Sequence, residues 1–184
     1  MTILAKLAAV AFSIASMSTY AIPVASTGAG RSVIVANTGN VFATYMGSYA
    51  HYTDVLYLGD VLLFNNHTTP IGRVIDLGSF AAGTELIFRL GVTNTGIDFF
   101  TGDGSRNPDA KAHARVQSDY LVSGTSLVSF EDMVRGDFDF NDFNFTFTNT
   151  FAADTRNSVP EPGSLALLAV GLVGMAAIRK RPSS

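Results

Sequence analysis

The chain has 184 residues, with no cysteine and no tryptophan. Without cysteine, no disulfide can staple the fold, and stability must come from packing or from a bound ion. From Ile22 to Val159, eight Lys and Arg stand against fourteen Asp and Glu, a balance of −6 that the overall −3 conceals. An acidic body argues against a nucleic-acid partner, whose affinity comes from neutralising phosphates, and suits cations instead.

Met1 to Ala21 carries a lone Lys6, an apolar stretch from Leu7 to Ala15, and a close at Thr19-Tyr20-Ala21. This is the pattern of a secretory signal peptide over residues 1–21, with Ala25 or Ser26 as alternative cut points. The apolar stretch is too short to span a bilayer comfortably, which argues against an uncleaved anchor. Residues 22–153 then form one domain, long enough for a sizeable core.

Runs rich in Val, Ile, Phe, Tyr and Leu alternate there with clusters of Gly, Asn, Asp and Thr. Such runs read as strands: Ser32–Ala36, Val41–Met46, Val55–Phe64, Ile71–Leu77, Glu85–Thr93, Arg115–Val122, Leu127–Phe130 and Phe138–Thr148. About eight short strands with turns at this spacing predict an all-β, antiparallel β-sandwich. Thr101 to Lys111 is the longest turn-like loop, and loops of that kind often carry function.

The chemical centre is Phe130 to Thr148, Phe-Glu-Asp-Met-Val-Arg-Gly-Asp-Phe-Asp-Phe-Asn-Asp-Phe-Asn-Phe-Thr-Phe-Thr. Glu131, Asp132, Asp137, Asp139, Asn141 and Asp142 crowd oxygen-bearing side chains into one short stretch. Phe138 and Phe140 alternate, and then Phe143, Phe145 and Phe147 alternate with the opposite parity. A regular strand would send the two sets to opposite faces. A bulge or tight bend at Asn141-Asp142 would repair the phase and gather the acidic groups.

Clustered carboxylates repel unless a cation neutralises them, and calcium takes six to eight oxygens in flexible geometry. The predicted ligands are Asp137, Asp139, Asn141 and Asp142, with Glu131, Asp132 or Asp109 in support. The pattern lacks the Gly and bidentate Glu of an EF-hand. His113 suits softer metals better and is expected to be structural.

Asp154 to Ser158 is a short polar linker into a tail, residues 159–184. The tail opens on Val159-Pro160-Glu161-Pro162, two prolines that favour extended backbone and cannot continue a helix. An uncharged run, Gly163 to Ile178, follows. As a helix it reaches roughly 24 Å at ~1.5 Å per residue, a little short of the ~30 Å hydrocarbon core, so flanking residues or local thinning must help it span. Arg179, Lys180 and Arg181 close it and should stay cytoplasmic.

This tail resembles the PEP-CTERM sorting signal of Gram-negative envelope proteins. The matching residues are Val159-Pro160-Glu161-Pro162, Ser164 to Leu168, Gly171-Leu172, Gly174 and the basic end. The resemblance implies recognition and cleavage by a membrane-embedded exosortase, in a protein exported to an exopolysaccharide-producing surface. A second resemblance covers roughly Val74 to Phe147. The Phe-Glu-Asp … Gly-Asp-x-Asp-Phe-Asn-Asp-Phe pattern, Gly83 to Phe88, Asn107-Pro108-Asp109 and His113 to Val116 are similar to a bacterial extracellular domain family of unknown function. It implies a β-rich domain with a metal site and no assigned activity.

Other classes fit less well. No Gly-x-Ser-x-Gly elbow exists, and His51, His67 and His113 lack His-Glu-x-x-His spacing. A glycosidase pair would need two carboxylates in divergent environments, where this chain has a dense cluster. Tyr45, Tyr49, Tyr52 and Tyr57 form a local aromatic group that could stack on sugars, although packing explains them as well. Asn66-His67-Thr68 and Asn144-Phe145-Thr146 match glycosylation acceptors, which in a bacterial protein we weigh as chance.

The expectation is an exported, non-enzymatic envelope or matrix protein that binds calcium. It begins as an inner-membrane-anchored precursor and ends in the cell envelope, on the outer surface or outside the cell. A calcium-dependent polysaccharide-binding module is the alternative, with exopolysaccharide as partner.

Overall fold

The computed structural model describes residues 21–154. The predicted signal peptide up to Tyr20, the linker beyond Asp154, the Pro-Glu-Pro motif and the apolar run lie outside them. Among the described residues no helix is long and apolar enough to cross a membrane.

The body is all-β. Its strands are β1 (Arg31–Val35), β2 (Gly39–Gly47), β3 (Asp54–Leu58), β4 (Val61–Asn65), β5 (Val74–Phe80) and β6 (Glu85–Leu86). They continue with β7 (Phe88–Val92), β8 (Ile97–Phe100), β9 (Ala114–Gln117), β10 (Thr125–Phe130), β11 (Phe143–Thr148) and β12 (Thr150–Asp154). One 3-10 turn, Gly104–Arg106, interrupts them. Three antiparallel sheets result, ordered β12-β1-β6, β5-β2-β11-β10-β9 and β4-β3-β7-β8.

Strand alternation builds the core. Along β11, Phe143, Phe145 and Phe147 point inward, while Thr146 and Thr148 stand between or outside. Their rings meet the four-stranded sheet: Phe88 of β7 stacks on Phe147 at 4.1 Å and lies edge-on to Phe145 at 5.8 Å. Tyr45 of β2 packs on Phe64 of β4 at 5.7 Å. Aromatic burial of this kind dominates core energetics, and the acidic loop springs from the two strands, β10 and β11, that anchor it.

Twelve strands replace the eight expected, for local reasons. The run Val55–Phe64 is a hairpin that reverses through Gly59-Asp60, with Gly59 at φ 57°. Glu85–Thr93 divides at Ile87, which is 41 % exposed, so that Leu86 pairs with β1 and Leu90 with β3. β8 returns after a turn at Gly96, and β12 after Asn149 in left-handed conformation. β9 ends at Gln117, because Asp119 and Leu121 take positive φ. Phe138 to Asp142 is not strand at all. Asp154, placed in the linker by its polarity, pairs with Arg31 at the end of β12.

The Thr101–Lys111 loop is packed rather than open. Asn107 accepts from the Phe100 amide at 2.8 Å and donates to the Lys111 carbonyl at 2.6 Å. Arg106 grips Glu85 with both terminal nitrogens, at 2.8 and 3.2 Å.

Candidate metal centre

β10 and β11 are a hairpin pair, Phe130 opposite Phe143, and the twelve residues from Glu131 to Asp142 connect them. The connection is irregular. Phe138 and Phe140 both take left-handed φ, 56° and 63°, a conformation costly for bulky residues. Short side chains help to fix it: Asp137 accepts from the Asp139 amide at 3.4 Å, and Asp139 from the Asn141 amide at 3.1 Å. Asp139 also takes a short hydrogen bond from the Asn141 side-chain amide. Of the bulge or tight bend expected at Asn141-Asp142, the structure has the bend, at Asp142, and the phase of the phenylalanines is reset in the loop that ends there. The irregularity in pairing with β2 falls further on, between Asn144 and Phe145.

Buried contacts hold the loop ends. Asp142 accepts from the Asp132 amide at 3.0 Å, and its own amide donates to the Phe130 carbonyl at 3.1 Å. Asn144, fully buried, donates to the Asn141 carbonyl at 2.8 Å. His113, also fully buried, faces the Glu131 carbonyl with Nδ1 at 3.1 Å and Asp109 Oδ1 with Nε2 at 3.1 Å, and it stacks on Phe99 at 4.0 Å.

The loop brings five of the seven predicted site residues into two groups. Carboxylate oxygens of Glu131, Asp132 and Asp142 lie within 4.8 Å of one another, and so do those of Glu131, Asp137 and Asp139. Glu131 belongs to both. It is 2 % exposed, and its Oε2 has no hydrogen-bond partner. Gly136 lies against it so closely that a β-carbon there would overlap the carboxylate. Asn141 lines the same open pocket as Asp137 and Asp139. Asp109 falls in neither group, being turned to His113 and to the Lys111 amide at 3.1 Å.

One acidic residue of this centre carried no signal in the sequence. Asp54 opens β3, and its amide donates to the Asn66 side chain at 2.9 Å. Its side chain is fully buried, both carboxylate oxygens lack partners, and the charged groups that face it are Asp132 and Asp142. It stands far from the acidic loop in sequence, beside ordinary strand residues, so only the pairing of the sheets could reveal it.

The electrostatics follow from burial and like charge. Burial, then Asp132 and Asp142, pushes Asp54 up to about 8. Burial, then Asp142, Asp137 and Asp132, pushes Glu131 up to about 7. Burial and Asp142 push Asp132 up to about 6. Asp142 is raised too, by burial first and by Asp139 and Asp137. Carboxylate oxygens are the donor type that hard cations take.

A pH dependence follows. These carboxyls hold protons in the folded state at pH values where the unfolded chain, near the ordinary values of 3.8 and 4.5, has released them. Where the native state binds more protons, stability falls with rising pH. The cation-free body should therefore lose stability between about pH 4 and pH 8. A saturating cation should flatten that decline, because it replaces the protons. Thermal melts across this range, with chelator and with calcium, measure both slopes.

In the sequence the acidic β-rich body is followed by a Pro-Glu-Pro motif, an uncharged apolar run and a basic end. Residues 158–181 match the PEP-CTERM protein-sorting motif. The match is consistent with an exosortase substrate, and it implies an exported precursor handled by that membrane enzyme. No curated protein and no solved structure matches the chain.

Proposed function

We propose that the protein is a non-enzymatic component of the cell envelope or extracellular matrix whose β-sandwich body binds calcium at the Glu131–Asp142 loop. The tail spans the inner membrane as a helix over residues 163–178 until processing, with Arg179, Lys180 and Arg181 on the cytoplasmic side. The observation that carries the calcium reading is the convergence of carboxylates on Glu131, with a buried Oε2 that no donor satisfies. Calcium accepts six to eight oxygens from carboxylates, amides and carbonyls at flexible angles, which suits this donor set. Calorimetric titration of the soluble body, residues 22–157, tests it. Calcium should bind to the wild type, and the double change Asp139→Asn with Asp142→Asn, one residue from each group, should abolish binding. A flat titration of the folded wild type would end the reading.

A calcium-dependent polysaccharide-binding module is the second reading, favoured by one observation. Of the four local tyrosines, Tyr45 is buried in the core, Tyr52 packs against it, and Tyr57 lies under Arg89 at 4.0 Å. Tyr49 alone is 56 % exposed, and it lines the pocket that holds Asp137, Asp139 and Asn141. A glycan array probed with and without calcium separates the two readings.

A further inference from the structure

We propose that the centre holds two cations, an outer one at Glu131, Asp137 and Asp139 and an inner one at Glu131, Asp132, Asp142 and Asp54. The proposal rests on the calcium reading of the loop and extends it by a second ion and a ligand from another sheet.

The first observation is Asp54 itself. A buried carboxyl normally finds a donor, because leaving it unpaired forfeits its hydration without return. Asp54 is fully buried, yet neither oxygen has one. Asp132 and Asp142, the groups it faces, are carboxyls too, so the hydrogen bond open to it is one to Asp132 that needs a proton between them. A divalent cation among the three satisfies all of them at once.

The second observation is the division of the acidic set by depth. Glu131 and Asp132 are buried and Asp142 is half-buried, while Asp137 and Asp139 are exposed. The carboxylates fall into two separate groups, one deep and one shallow, and Glu131 belongs to both. A glutamate with two oxygens is a natural bridge between adjacent ions. Its Oε2 is unpartnered, and only a glycine at 136 fits against its other oxygen.

Charge points the same way. Asp54, Glu131, Asp132, Asp137, Asp139 and Asp142 together carry six negative charges when ionised. The cationic side chain lining the pocket is Arg135, with His51 beside it. One divalent ion leaves most of that repulsion in place, and two remove the greater part.

The inner ion would also have a structural consequence. Asp54 belongs to the β4-β3-β7-β8 sheet, whereas Asp132 and Asp142 flank β10 and β11 of the five-stranded sheet. An ion between them joins the two sheets at one end, a cross-link in a chain without cysteine.

Native mass spectrometry of the full chain in detergent, equilibrated with calcium, counts the ions directly. The wild type should carry two. Asp54→Asn, an isosteric change whose new amide can donate to Asp132, should carry one, and its near-ultraviolet circular dichroism should stay native. Asp139→Asn, at an exposed position, should also carry one, the inner ion, and it keeps the test valid if Asp54→Asn fails to fold. A single ion in the wild type, or two ions in Asp54→Asn, overturns the proposal and leaves the calcium reading standing. No ion in the wild type overturns both.

Discussion

Replacing Pro160, Glu161 and Pro162 together by alanine should leave the chain full-length and in the membrane fraction. Two prolines separated by one residue favour extended backbone, and neither can continue a helix. Alanine is the best helix former. With three of them, a helix through Gly163 to Ile178 is free to propagate upstream and carry the cleavage segment into regular structure. Glu161 is also the only acidic side chain after Asp154, so its loss removes the one negative mark next to the membrane. The apolar run and Arg179 to Arg181 are untouched, so insertion and orientation should persist. Immunoblots of fractionated cells should show a shorter mature form for the wild type and precursor alone for the variant. A mature form of unchanged size in the variant contradicts assignment of Pro160-Glu161-Pro162 as the processing site.

The parts of the molecule that the sequence exposed are those with local causes. β1, β2, β10 and the Phe-rich β11 were legible as short runs of β-branched and aromatic residues bounded by turn residues, with clear core-to-solvent alternation in β2 and nearly continuous burial in β10. The hairpin at Gly59-Asp60 was hidden by apolar residues on both sides, which made one long run of two short strands. β8 and β12 were missed because each starts directly after a tight turn, and the partners that order them, β7 and β1, are recognised only in three dimensions. The clash in phenylalanine parity between Phe140 and Phe143 was visible, and with it the bend, but the left-handed backbone before the bend was not. Left-handed Phe138 and Phe140 depend on the Asx hydrogen bonds of the folded loop. The same distinction governs the site. Glu131, Asp132, Asp137, Asp139 and Asp142 were legible because they are neighbours in sequence. Asp54 was not, because only the packing of two sheets brings it to them. Asp109 was read as a supporting ligand and His113 as structural; in the fold the Asp109 carboxylate meets the His113 imidazole instead of the acidic loop.

The second large effect is on stability. A cation that binds the folded loop but not the unfolded chain stabilises by mass action, about 2.7 kcal/mol at one hundred times its dissociation constant. Two ions would add to that. Against a domain stability of ~5–15 kcal/mol, the gain is substantial. For a body of this size it corresponds to a shift in melting temperature on the order of ten degrees. The cation-free state is the costly one, because Asp54 and Glu131 Oε2 are buried without a donor group and the surrounding carboxyls repel each other as they ionise. The double change Asp139→Asn with Asp142→Asn relieves part of that repulsion. Its melting temperature in chelator should equal or exceed that of the wild type, while its response to calcium disappears.

Thermal unfolding of the wild-type body, residues 22–157, at neutral pH, first with excess chelator and then with calcium restored, tests the calcium-binding claim most directly. The melting temperature should rise by on the order of ten degrees when calcium returns at one hundred times its dissociation constant. A melting temperature indifferent to both chelator and calcium would contradict it and leave the acidic loop a solvated surface over a phenylalanine core.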